Sequence, residues 1–376
     1  MLGDLGRKTE SLPAMLHISV LFLAIGLSLL LPTPAGAQID AAQAPYQIRG
    51  NLAEDQSAAL QAALDQAQET GGGRVLLPAG TIYAKGLALP PKVTLSGQGI
   101  GATILKLPDG ANTYLLASLG FVRNHSWTDM YGGVENMTLD GNKKNNKSGS
   151  LLVLKGYRFR ARNCQFRSSP LHGILISAVA ADGTPNKNGM AENRVVECAF
   201  DNNAGAGIYA RDGKVNRVSD GMIHNNDFNG NGELGFYQID LERSAGFHIV
   251  GNQMYAGKIG DLRALGAGAL IVRGNNFDGS SNTPVDGRVR QVMIRGGGWG
   301  SCVVSANLFH NHAKEGGDWT MLDLTSHAKD SISVTGNVFR SEQIRATPYV
   351  VHGQAKESVV FQGNAGTRKL SAQAAE

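Results

Sequence analysis

Residues 320–339 read Thr-Met-Leu-Asp-Leu-Thr-Ser-His-Ala-Lys-Asp-Ser-Ile-Ser-Val-Thr-Gly-Asn-Val-Phe. Two alternating runs, Thr320 to Thr325 and Asp330 to Thr335, are followed by a turn asparagine and a phenylalanine. Strict alternation over this length predicts half-buried strands. The closing triplet, Asn337-Val338-Phe339, returns as Asn226-Asp227-Phe228, Asn275-Asn276-Phe277 and Asn307-Leu308-Phe309. Relaxed copies are Cys164-Gln165-Phe166, Cys198-Ala199-Phe200 and Asn252-Gln253-Met254, with Asn136 and Asn364 as expected outer members. Successive first positions lie 23 to 34 residues apart, the signature of a solenoid with variable insertions. Two strands, a turn Asn and a third short strand make one coil of a parallel β-helix. Equivalent residues then stack about 4.8 Å apart. Asn side chains can hydrogen-bond up the stack while the phenylalanines fill the interior. Cys164 and Cys198 take the ladder position as small, buriable thiols; their stacking leaves oxidation to a disulfide open.

The first coil of a solenoid needs cover for its strand edges. Asp55 to Gln68 supplies it, with Asp55 as N-cap and Leu60, Ala63, Leu64 and Ala67 as one apolar stripe. Gly71-Gly72-Gly73 stops the helix, and strands begin at Arg74-Val75-Leu76-Leu77-Pro78. The run from Asp55 through Gly-Gly-Gly-Arg-Val-Leu-Leu-Pro-Ala-Gly-Thr to Val93-Thr-Leu-Ser-Gly-Gln-Gly resembles the opening of pectate-lyase-like right-handed β-helix proteins. The resemblance covers nearly the whole chain after its leader. It implies a right-handed parallel β-helix, and a superfamily of lyases, hydrolases, epimerases and inert repeats.

Of the 376 residues 49 are glycine, which suits several turns per coil. The net charge of +4, with no Lys/Arg-rich run, gives no ground for a nucleic-acid partner. Arg7 and Lys8, the apolar run Ile18 to Leu31 and Pro34-Ala35-Gly36-Ala37 read as a signal peptide over 1–37, with a non-cleaved anchor as the alternative. The expected division is then a linker over 38–54, a cap helix over 55–73, a β-helix over 74–366 and a polar tail over 367–376. This places the protein in the secreted or periplasmic space, with no membrane partner after cleavage.

Aligning the first strand of each coil by its apolar positions leaves an outward stripe: Lys155, Ser177, Tyr209, Arg211, Gln238, Asp240, Glu242, Asp261 or Arg263, Arg295, Asp323 and His352. Guanidiniums on a long groove suit an acidic, uronate-containing polysaccharide, which they grip through bidentate pairing. Lys155, Tyr209, Gln238 and Arg263 are the expected substrate contacts. Arg211, Asp240, Arg295 and Asp323 are the expected catalytic groups, with His172 as a further acid or base. A solvated salt-bridge ladder accounts for the same alternation.

Hydrolysis needs two carboxyls about 5–5.5 or 6.5–9.5 Å apart. Asp240 and Asp261 fit the shorter separation only if Asp261 faces outward. Lyase or epimerase chemistry instead needs a base for the proton α to the uronate carboxylate and a cation for the resulting enolate. Asp240, Glu242 and Asp261 offer the hard oxygens that Ca²⁺ takes. The Asn-Thr-Asp, Asp-Asp and Arg-Ile-Lys motifs of polygalacturonases are missing, and Leu171-His172-Gly173 is their one echo. The Asp-Pro-His motif of alginate epimerases is missing as well. The expectation is a lyase or epimerase on an acidic glycan; a non-catalytic carbohydrate-binding or envelope-structural solenoid is the alternative. His310, His312 and His327 form a weaker metal candidate.

Overall fold

The computed structural model describes residues 37–124, 130–185, 189–212, 218–279, 283–285, 287–298, 300–311, 318–341, 347–353, 359–366 and 373–374. Nearly all of the expected leader, most of the polar tail and His312 lie outside these residues. The chain winds into a right-handed parallel β-helix whose coils pair in register along three faces. The first face is an eleven-stranded sheet running from Leu87–Leu89 through Ile174–Ser177, Ile208–Arg211, Ile239–Leu241, Leu262–Ala267, Arg288–Gly296 and Asp318–Ser326 to Thr347–Gly353 and beyond. The second stacks Arg194–Val196, Met222–His224, His248–Val250, Leu270–Arg273, Ser301–Ser305 and Ser331–Thr335. The third stacks Ala199–Asp201, Asp227–Asn229, Gln253–Tyr255, Asn276–Asp278, Leu308–Asn311 and Val338–Ser341.

The corner between the second and third faces carries the asparagine ladder. The Nδ2 of Asn226 donates to Asn252 Oδ1 at 3.0 Å, Asn252 to Asn275 at 2.9 Å, Asn275 to Asn307 at 3.0 Å, and Asn307 to Asn337 at 2.9 Å. Asn337 continues to Asn364 at 3.0 Å. Each Nδ2 also reaches a carbonyl of the coil beneath, as Asn275 does to Ile249 O at 2.9 Å. Buried amides are thus fully partnered, which is what allows them to sit inside. The phenylalanines two residues on stack face to face, Phe200 on Phe228 and Phe309 on Phe339, each pair at 4.7 Å.

One end of the ladder differs from expectation. Cys164 pairs with Met137, so Met137 holds the inward position and not Asn136. Asn136 is the left-handed turn residue before it (φ 56°), and accepts from Asn163 Nδ2 outside the core at 2.8 Å. The cap helix spans Ser57–Glu69, with the four expected apolar residues buried. Gln56 is its N-cap, and Asp55 stands one residue earlier, accepting from the Ser57 amide at 3.0 Å. Part of the expected linker is strand: Ala37–Asp40 pairs with Gly73–Leu76 and Leu52–Asp55 with Gly80–Tyr83. Cys164, Cys198 and Cys302 are free and buried. Burial pushes the last two thiols up to about 12.

Candidate functional site

On the first face, alternation fixes which side chains look outward. Register pairing aligns Leu175, Tyr209, Asp240, Arg263, Met293 and Asp323 in one column across six coils. A parallel column holds Ser177 beside Arg211, and farther up Arg295, Thr325 and His352. Neighbouring coils therefore bring Tyr209, Asp240 and Arg263 into one cluster, with Arg295 and Asp323 into another.

In the lower cluster, Arg263 Nε donates to Asp240 Oδ1 at 2.7 Å, with its guanidinium 5.9 Å from the Tyr237 ring centre. The Tyr209 hydroxyl donates to Glu242 Oε1, while the Asp212 amide donates to Oε2 at 2.9 Å. Arg211 is exposed. In the upper cluster, Asp323 is clasped by Arg290 Nε at 2.8 Å and Arg295 Nη1 at 2.7 Å, with His352 Nε2 3.7 Å away. The Asp240 and Asp323 side chains are 0% and 5% exposed, against 26–30% for the three guanidiniums. Carboxylates lie beneath and cations above, so the groove shows solvent a positive surface.

Burial sets the titration of this cluster. It raises the Asp240 carboxyl, against the opposing pull of Arg263. It also raises the Tyr209 phenol, and the hydrogen bond to Glu242 adds to the effect. Tyr209 is therefore neutral, a proton donor already oriented by a carboxylate. Tyr237 is pushed up to about 12, again by burial.

Four expected site residues are elsewhere. His172 is 3% exposed. Its Nδ1 accepts from the Ala206 amide at 3.0 Å, and burial pulls it down to about 3. It is a neutral support beneath Tyr209 (ring centres 4.6 Å apart), not an acid or base at ordinary pH. Lys155 is 1% exposed because the short helix Leu119–Val122 packs beside it; its ammonium donates to Gly120 O at 3.3 Å. Gln238 and Asp261 turn inward at the corner before their strands. There the Asn203 and Asn231 amides, Gln238, Asp261 and Gln291 form a second buried ladder. Asp261 accepts from Gln238 at 3.0 Å and Gln291 at 3.2 Å, with burial holding its carboxyl well above the usual range.

With Asp261 sealed inside, the expected Asp240–Asp261 hydrolytic pair does not form, nor does the expected calcium trio with Glu242. No cluster of three or more His, Cys, Asp or Glu fit to hold a metal occurs among the described residues. Sequence reasoning overlooked Arg290, Tyr237 and Phe236, whose ring lies 4.7 Å from that of His172 and 5.2 Å from that of Tyr209. Arg290 was hidden by a slip of phase: Gln291 and Val292 are both buried, so alternation counted back from Ile294 would turn Arg290 inward.

Comparison with known proteins adds relatives to this geometry. Residues 45–282 match the family model described as rhamnogalacturonase A/epimerase, pectate lyase-like. Mannuronan C5-epimerase AlgE4 of Azotobacter vinelandii is 30% identical over 189 residues, covering 43% of this chain and 33% of the relative. Alginate lyase 7 of the same organism is 32% identical over 111 residues, 27% of this chain and 12% of the relative. The chain thus spans about a third or less of these relatives' length. Among solved structures, the A-module of the A. vinelandii epimerase AlgE6 superposes with a TM-score of 0.56 at 16% identity, covering 89% of this chain and 97% of the module. The bacteriophage Phi29 gene product 12 N-terminal fragment reaches 0.62 at 16% identity, covering 93% of this chain and 60% of that one. At such identities these two likenesses concern the fold.

Proposed function

The chain belongs to the rhamnogalacturonase A/epimerase, pectate lyase-like family, and we propose that its first face acts on a uronate polymer as a lyase or epimerase. The supporting observation is the layering of the groove, carboxylates recessed and guanidiniums outermost. That order suits an anionic chain lying along the coils. Relatives named as C5-epimerases and an alginate lyase point the same way.

In this reading Arg263 receives the uronate carboxylate at the reacting sugar and stabilises the charge that builds when the α-proton leaves. Arg211 and Arg295 hold the neighbouring sugars. Glu242 and Tyr209 carry the proton. Glu242 takes it from the α-carbon on one face as the Tyr209 hydroxyl swings to the substrate. For epimerisation, Tyr209 delivers a proton to the other face of the same carbon and no bond to oxygen breaks. For elimination, the β C–O bond breaks, a double bond forms, and Tyr209 protonates the leaving oxygen. In either case Glu242 then returns its proton to the Tyr209 oxygen, to which it is hydrogen-bonded. Export to the periplasm or medium is part of the proposal, resting on the leader pattern in residues 1–37.

The test is incubation with mannuronate, galacturonate and glucuronate polymers, with and without Ca²⁺. Ultraviolet absorbance of the unsaturated product is read beside NMR of the polymer. Absorbance means elimination; altered C5 stereochemistry without absorbance means epimerisation. Tyr209→Phe should lower either rate by roughly 10²–10⁴-fold. Silence in both, with the polymers still retained on the protein, would leave a non-catalytic binding face.

A further inference from the structure

A second concentration of positive charge lies on a different face. A cavity of about 460 Å³ is lined by Arg74, Arg158, Arg160, Arg162 and Arg194, together with Glu135 and Glu192. It shares no residue with the groove. Register explains its shape: Arg74, Thr94, Gly133, Arg160 and Arg194 follow one another outward on consecutive coils of the second face. Gly133 carries no side chain because a Cβ there would meet the Arg160 carbonyl oxygen at 1.8 Å. The column therefore has a recess between Thr94 and Arg160.

The arginines differ in what they already hold. Arg74 pairs with Glu135 at 3.0 Å, Arg162 with Glu197 at 3.2 Å, and Arg158 with Glu192 at 2.7 Å. Arg160 and Arg194 stand directly opposite one another on adjacent strands, and among the described residues neither has an ion-pair partner. Like charges opposed in this way destabilise a sheet. Beside them Tyr131 is 53% exposed, and its backbone is held at φ 42°, a conformation that bulky residues rarely adopt. Arg158 donates to its hydroxyl and lies 5.4 Å from the Tyr131 ring centre and 4.4 Å from that of Tyr157, so a ligand ring meets Tyr131 on the surface that Arg158 leaves exposed.

We propose that this cavity is a second binding site, for an acidic sugar unit whose carboxylate bridges Arg160 and Arg194 while its ring lies against Tyr131. The volume suits a ligand of a few sugar rings. With three arginines paired to Glu135, Glu192 and Glu197, Arg160 and Arg194 leave an excess of two positive charges that favours an anion, and the half-exposed Tyr131 ring favours a saccharide over a bare ion. The site stands independently of the groove, so the chain would grip an acidic glycan at two faces.

Calorimetric titration of the full chain with a mannuronate trisaccharide tests this, with a neutral trisaccharide and inorganic sulfate as comparison ligands. The groove variant Arg211→Ala/Arg295→Ala should keep one binding event. Adding Arg160→Gln/Arg194→Gln should weaken that event by roughly tenfold or more. Arg160→Gln/Arg194→Gln in the otherwise native chain should turn over polymer at the native rate. Unchanged affinity overturns the proposal, as does sulfate binding as tightly as the trisaccharide (an adventitious ion only) or equal binding of the neutral sugar. Loss of all trisaccharide binding in the groove variant also overturns it. If the native chain turns over none of the polymers, retained trisaccharide binding in the groove variant still supports the second site while refuting the catalytic reading. Arg160→Gln alone serves if the double variant does not fold.

Discussion

Asp240 and Asp261 sit on consecutive coils, and both are buried, yet they live in different regions. Asp240 lies on the outer side of the first face under the Arg263 guanidinium. Asp261 lies at the inner corner among the Gln238 and Gln291 amides, with no ion-pair partner among the described residues. Burial is the main force driving both carboxyls up; Asp240 has the positive charge of Arg263 pulling back, while Asp261 is restrained only by the Gln238 and Gln291 hydrogen bonds. The difference separates a charge kept for use from an oxygen kept for packing. A buried charge is worth retaining where a partner faces solvent, and is better neutral where none does.

The largest break in this contrast is Arg263→Ala. It strands Asp240 as a buried carboxylate without a cation, which costs about 3–5 kcal/mol of stability. Urea unfolding at neutral pH should show it, and turnover should vanish in the same variant. Equal stability to the native protein would mean that the pair is only a surface bridge.

Asp261→Asn should act in the opposite direction, raising stability by about 1–2 kcal/mol at neutral pH. The substituted side chain keeps an oxygen for the Gln238 Nε2 donor, now 3.0 Å from Asp261 Oδ1, and removes the buried charge. The sign follows from the raised carboxyl. Its contribution is complete below the unfolded value of 3.8 and is lost as pH rises through the higher folded value. The advantage of the asparagine variant should therefore shrink towards zero below that unfolded value. Thermal midpoints across pH would check it, and a gain that persists in acid would refute it.

Arg160→Gln removes one of two opposed cations and should raise stability by roughly 0.2–1 kcal/mol at low salt, less at high salt. The smallest effect is expected at His172. Because its imidazole titrates near 3, His172→Gln should leave the midpoints of the pH–activity profile unmoved even if the rate falls. A shifted midpoint near neutrality would return His172 to the chemistry.

The inner corner was legible because stacking imposes one chemical identity at each height. An amide that must bond to the coils above and below recurs as Asn, and the space beneath it recurs as Phe. The slip at Asn136 has the same origin. Two adjacent positions favour Asn, the left-handed turn and the ladder itself, as Asn225-Asn226 shows by holding both. Where Met137 filled the inner place, only the turn residue remained visible. On the outer face, alternation located Tyr209, Asp240, Arg263, Arg295 and Asp323. It failed at Gln238, Asp261 and His172 because the chain bends inward before each strand, where period two no longer applies. Lys155 was hidden by a helix from an earlier coil, a long-range contact that no local pattern records.

The three buried thiols carry a consequence of their own. Raised by burial, they hold almost no thiolate at neutral pH, so an alkylating reagent meets them only when their coils separate. Cys164 and Cys198 sit several coils from Cys302 along the stack. Their labelling rates form clocks at two heights, reporting whether the solenoid unzips from one end or opens all at once.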